Sequence, residues 1–203
     1  MLATATVVLS TKYNQDHIQQ QHLESISNMS STIRPLSTGR ITADFFTGSY
    51  RLSASVLVYK RRLIDILGDR TTDYLDLVDI YVSRINSPGN IVATYQKGSL
   101  VKTELNFILL SSLTESISKD RFYTPNRVSL PIFIAMPSFE IGGKFQWLGD
   151  LEVKKILATD TQKFLPVLEA TARNAHFPDV TFQGPALLVN KARVEVLCIG
   201  GQK

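Results

Sequence analysis

Polar and apolar residues alternate with period two from Gly39 onward. The pattern is clearest where Tyr50, Leu52, Ala54, Val56 and Val58 share one face of a segment and Arg51, Ser53 and Ser55 share the other. Side chains of a strand point to its two sides in turn, so this pattern predicts a half-buried β-strand. It returns at a spacing of 89, with Phe139, Ile141, Gly143, Phe145 and Trp147 facing one way and Glu140, Gly142, Lys144 and Gln146 the other. Downstream of each strand an i, i+3, i+4 set, Leu63, Ile66 and Leu67 or Val153, Ile156 and Leu157, predicts one amphipathic helical turn. Strands are predicted next at Tyr74–Ser83 and Phe164–Arg173; their first residues are apolar on both faces, as in the central strand of a unit.

A last pair of segments matches at a spacing of 87, Tyr95-Gln96 with Phe182-Gln183. Beyond it Val101, Thr103, Leu105, Phe107 and Leu109 alternate as Leu188, Asn190, Ala192, Val194 and Val196 do. On this register Glu104 and Asn106 lie on the outward face and become Lys191 and Arg193, so the core repeats while the surface charge does not. Further strands are predicted at Arg40–Phe46 and Arg127–Met136, each followed by a turn former, Gly48 or Pro137. The chain is therefore an internal duplication in which each unit runs strand, strand, helical turn, strand, strand, strand. Five short strands in so few residues must remove their edges, and closure into a small barrel does so. The expected organisation is an N-terminal arm over 1–38, a first barrel over 39–112, a linker over 113–125 and a second barrel over 126–203.

Residues 10–39 are rich in Ser, Thr, Gln and Asn and include Gln19-Gln20-Gln21. Ile18, His22, Ile26, Met29 and Ile33 fall near helical spacing, so a docking amphipathic helix and a disordered arm both fit. Met1–Leu9 is apolar but lacks a basic leading region and is too short to span a bilayer. Thr114–Tyr123 is polar, contains neither Gly nor Pro, and reads as the linker.

Lys and Arg number 22 against 18 Asp and Glu, a net charge of +4 with no basic block, which weakens a nucleic-acid reading based on charge alone. The single Cys198 excludes an intramolecular disulfide and sits in the apolar run Val196-Leu197-Cys198-Ile199, as a small hydrophobe would. A reducing compartment, the cytoplasm, is the expected location.

The order of elements, with Arg62-Leu63-Ile64-Asp65-Ile66-Leu67 and Asp73-Tyr74-Leu75-Asp76-Leu77-Val78-Asp79, resembles a bacterial family of small Sm-like (SH3-like barrel) domains of unknown function. In the second copy Phe164-Leu165-Pro166-Val167-Leu168-Glu169-Ala170 and Gly184-Pro185-Ala186-Leu187-Leu188-Val189-Asn190-Lys191 are similar to the same family's strands, whereas Glu152-Val153-Lys154-Lys155 departs from its turn. The resemblance covers roughly 40–110 and 127–200 and implies a mainly β fold of two tandem Sm-like barrels. It implies no catalytic residues, and fold does not give function. Sm proteins proper bind RNA through an Asp and Asn in one loop and an Arg-Gly pair in another; the late position here holds Lys102-Thr103-Glu104 and Asn190-Lys191-Ala192 instead.

Candidate chemistry is sparse. His17 and His22 are five apart, which does not place two imidazoles on one helix face, and His176 has no Cys or second His nearby. Gly142-Gly143 and Gly200-Gly201 open no phosphate loop; Gly143, on an inward face, is expected to admit a close backbone or a bulge. Asp65, Asp69, Asp73, Asp76 and Asp79 lack the convergence of a cation site, with Asp76 and Asp79 expected on opposite strand faces. Trp147 is expected to pack at a barrel mouth.

Lys60-Arg61-Arg62 is the one basic triplet, able to meet phosphate or an anionic headgroup. An enzyme would need a polar pocket built from residues such as Asp79, Glu169 or His176. The sequence thus points to a non-catalytic interaction or assembly module without cofactor or metal, binding a protein partner or a second copy of itself. The alternative is an RNA- or anionic-surface-binding protein using Lys60, Arg61 and Arg62. No membrane span is expected.

Overall fold

The computed structural model describes residues 39–59, 61–112, 127–148, 153–158 and 162–200. The expected arm, the linker and Lys60 lie outside them. The alternating segments fold as strands: β1 (Arg40–Phe46), β2 (Tyr50–Leu57), β3 (Tyr74–Arg84), β4 (Ser87–Val101) and β5 (Phe107–Leu110) in the first copy, then β6 (Arg127–Met136), β7 (Phe139–Leu148), β8 (Phe164–Asn174), β9 (Thr181–Asn190) and β10 (Val196–Ile199) in the second. The two i, i+3, i+4 sets form α1 (Leu63–Gly68) and α2 (Val153–Ala158). Leu63 and Leu67 of α1 are buried, as is Ile156 of α2.

The late register differs from the one read above. Lys102–Glu104 and Lys191–Arg193 are single 3-10 turns, and they and the strands after them correspond at a spacing of 89, not 87. A strand pattern has period two, so a slip of two residues leaves every face unchanged and is invisible in the sequence. The 3-10 turn also breaks the alternation expected over Val101–Leu109. Asn106, read as outward, is buried at 0% exposure.

All ten strands join one antiparallel sheet in the order β10-β6-β7-β8-β9-β5-β1-β2-β3-β4. Within each copy the order is fifth, first, second, third, fourth, so β2 and β7 are central, not the strands at Tyr74 and Phe164. The hydrogen bonding does not close each copy on itself. It removes one edge of each by pairing β5 with β9, Phe107 opposite Val189 and Leu110 opposite Ala186. The reason lies in the two segments, Phe-Ile-Leu-Leu and Ala-Leu-Leu-Val, in which every residue is buried and both faces need cover.

Two hydrophobic cores flank this junction, and each borrows from the other copy. Phe46, Ile85, Phe107 and Leu109 of the first copy pack with the second copy's core, while Phe164 and Leu188 pack with the first. Phe46 stacks on Phe107 at 4.4 Å between ring centroids, and Phe107 meets Phe139 edge-on at 4.9 Å. Burying each ring stabilises the fold by roughly 2–3 kcal/mol. Both copies lie in a single compact unit.

Candidate functional site

The basic triplet starts the segment that leads into α1. Arg61 donates from Nη2 to the Asp69 carboxylate at 3.0 Å and to the Asp65 carbonyl at 3.3 Å. The Arg62 backbone N–H donates to the Asp65 carboxylate at 3.3 Å, and both Arg61 and Arg62 are exposed. Hydrogen bonds from the Thr71 hydroxyl and backbone N–H, with the Arg61 guanidinium, hold the Asp69 carboxyl well below the usual carboxylate range.

The acidic run does not converge. Asp76 accepts from Ser99 at 3.0 Å, and Asp79 pairs with Arg40. Asp76 and Asp79 do not take opposite strand faces; both are exposed, because Asp79 sits at a bulge that shifts the β2–β3 register and the phase of β3. Its counterpart Glu169 occupies the matching bulge between β7 and β8 and pairs with Lys144. Both bulge residues adopt left-handed backbone, φ 50° at Asp79 and 46° at Glu169. Gly143 lies across this second bulge, where an added Cβ would stand 2.8 Å from the Leu168 carbonyl, so the close approach expected of it is present.

Asp79, Glu169 and His176 line three different surface hollows, so the structure does not bring them together. The His176 backbone N–H donates to Asn174 Oδ1 at 2.9 Å. Trp147 packs against the second core beside Phe145. Among the described residues no group of three His, Cys, Asp or Glu side chains could hold a metal ion, and no helix is long and apolar enough to cross a membrane.

A lysine recurs that the shifted register concealed. Lys102, 7% exposed, donates from Nζ to the carbonyls of Ile66, Asp69 and Thr72 at 2.9–3.0 Å and to Thr72 Oγ1 at 3.1 Å. It closes the C-terminus of α1, where the last carbonyls lack helical partners. Burial lowers its pKa, and the Asp69 charge opposes that shift. Lys191, at the equivalent position, donates to the Ile156 carbonyl of α2 at 2.9 Å. Leu67, Thr72, Lys102, Leu157, Phe164 and Lys191 line a cleft of about 370 Å³ between the two copies. Its two lysines act on helix carbonyls and hold the helical turns in place.

The polar centre of the junction is a pair of buried asparagines. Asn190 donates from Nδ2 to the carbonyls of Leu105 at 2.8 Å and Lys102 at 3.2 Å, and its backbone N–H extends the β5–β9 ladder to the Asn106 carbonyl. Asn106 accepts from Arg193 Nε and donates to the Pro137 carbonyl. These bonds fix the pairing register, because a slip would leave buried polar groups unpaired.

Among the described residues the sheet ends at β4 and β10, whose outer edges pair with no further strand there. β10 carries exposed Val196 and Cys198; the cysteine expected to behave as a small hydrophobe is exposed on this last strand. The β3–β4 hairpin exposes Tyr74, Tyr81, Tyr95 and Val101. No family model, curated protein or solved structure matches the chain.

Proposed function

We propose that this chain is a non-catalytic interaction or assembly module built on two duplicated Sm-like units, acting through the strand edges that its own fold leaves open. The observation that carries the reading is the β5–β9 junction. There a strand edge of one copy forms a buried, register-specific interface with an edge of the other, while the corresponding edges at the ends of the sheet have no strand partner among the described residues. Those end strands carry exposed apolar side chains, Ile91, Val92, Tyr95 and Val101 on β4 and Val196 on β10, and the polar side chains form local pairs instead of a reacting constellation. Size-exclusion chromatography with light scattering, together with a pull-down from native extract, tests it. A self-associated state or a stoichiometric partner is expected, and a monomer without a partner would overturn it.

A second reading, binding of RNA or an anionic surface, is favoured by one observation: Arg61 and Arg62 are exposed side by side at the start of α1, next in sequence to Lys60. Binding of that kind would fall steeply with salt. Its test is a titration with single-stranded RNA at low ionic strength, and no binding there would dispose of it. The single exposed Cys198 fits a reducing compartment such as the cytoplasm.

A further inference from the structure

We propose that copies of this chain associate head to tail, β10 of one pairing antiparallel with β4 of the next in the register that β5 and β9 use within the chain. The proposal rests on the assembly reading above and names the partner as a second copy.

The duplication makes each free edge a copy of one half of an interface that already exists. β10 corresponds to β5 and β4 to β9, both at a spacing of 89. Carrying the junction register across places Val196 opposite Leu100, Leu197 opposite Ser99, Cys198 opposite Gly98 and Ile199 opposite Lys97. Positions that the junction buries are open at the ends of the sheet. Phe107, Phe164 and Asn190 are 0%, 2% and 5% exposed, whereas their counterparts Val196, Tyr74 and Val101 are 49%, 52% and 48% exposed. The first copy covers β8 on its outer face, so Phe164 is in the core; nothing among the described residues covers the same face of β3. A like-with-like contact, β4 on β4 or β10 on β10, has no such precedent in the chain.

The side chains also set the strength of the contact. Leu188 and Ala186 of the junction are replaced by Ser99 and Lys97 on the free edge, so the contact between copies buries less apolar surface and is reversible where the junction is permanent. Lys97 is a charge of the kind that keeps an edge strand from pairing indiscriminately. A contact of this type is heterologous, so it continues into rings or filaments instead of stopping at a dimer.

The lone cysteine provides the test. Partners in an antiparallel ladder stand about 4.5 to 5.5 Å apart at Cα, within the range a disulfide spans. The full chain carrying Gly98→Cys is oxidised mildly at increasing concentration and the cross-linked peptides are mapped. At Gly98 an added Cβ meets only the tip of Ile80, a side chain able to turn aside. The expected product is a ladder of multimers joined between position 98 of one copy and Cys198 of the next. Lys97→Cys with Ile199→Cys in a Cys198→Ser chain tests the same register without that crowding. Val196→Lys is expected to weaken self-association roughly tenfold.

Links formed only between two Cys198 residues, or no links from protein that circular dichroism shows to be folded, would overturn the proposal. Light scattering of the unaltered chain separates the two levels. Oligomers without the 98-to-198 link sink the head-to-tail arrangement and leave the assembly reading standing, while a partnerless monomer without the link sinks both.

Discussion

At Lys102 a charged side chain is buried because the end of α1 supplies the oxygen atoms it needs. Replacing it with Met keeps the length and removes the donor, leaving the carbonyls of Ile66, Asp69 and Thr72 without it. Lys102→Met is therefore expected to cost about 2–4 kcal/mol in urea unfolding, and Lys191→Met less, because Lys191 is less buried. Equal effects would contradict this account. Asp69 gives a pH signature. Its folded-state pKa lies below the ordinary 3.8, so its contribution is present above that value and is lost as pH falls through the lower folded-state pKa. Asp69→Asn should flatten the stability profile below about pH 4; an unchanged acid limb would show that another carboxylate governs it. At the bulges, Glu169→Gly relieves a left-handed backbone that Glu tolerates poorly and is expected to stabilise by up to about 1 kcal/mol, more than Asp79→Gly, because Asp adopts that region more readily. Glu169→Val should destabilise, and thermal melts of the three variants check the order.

Among the elements, β5 is four residues long, yet its side chains enter both cores, Phe107 and Leu109 one and Ile108 and Leu110 the other. Phe107→Ala is expected to cost about 3–5 kcal/mol, whereas Val196→Ala, the same position in the exposed copy, should change stability of the isolated chain by less than about 0.5 kcal/mol. Denaturant titrations at low protein concentration decide it. β4 and β5, like β9 and β10, were read as one alternating stretch that a 3-10 turn divides, but β1, β2, β3, β6, β7 and β8 were legible as hydrophobic periodicity, and the bounds of β1 and β6 coincide with those read from the alternation. The registers of the late strands were not, because period-two patterns tolerate a two-residue slip. Nor was the difference between β3 and β8: both begin with mixed apolar residues, but β8 is buried on both faces and β3 on one, since only β8 has the other copy against it. Lys102 and Lys191 become a matched pair once the register is 89, so the signal was present and lay under the wrong alignment.

For the molecule as a whole, the exchange of Phe46, Phe107, Phe164 and Leu188 between the cores means that neither copy completes its interior alone. Unfolding should therefore follow one cooperative transition, coincident by far-ultraviolet circular dichroism and tryptophan fluorescence, although the lone Trp147 reports only the second copy. Two separated transitions would mean that the copies are independent domains. The amino-acid sequence by itself determined the matching order of elements in the two halves, the positions of the two helical turns and of β1, β2, β3, β6, β7 and β8, and their apolar faces, because local periodicity and turn chemistry act over a few residues. Only the tertiary structure decided that β5 and β9 join the two halves into one sheet, that Asn106 and Asn190 fix the junction and that β4 and β10 are the outer strands of the described sheet. Pairing of distant edges depends on which surfaces meet and bury each other, and nothing in either segment's own pattern specifies its partner.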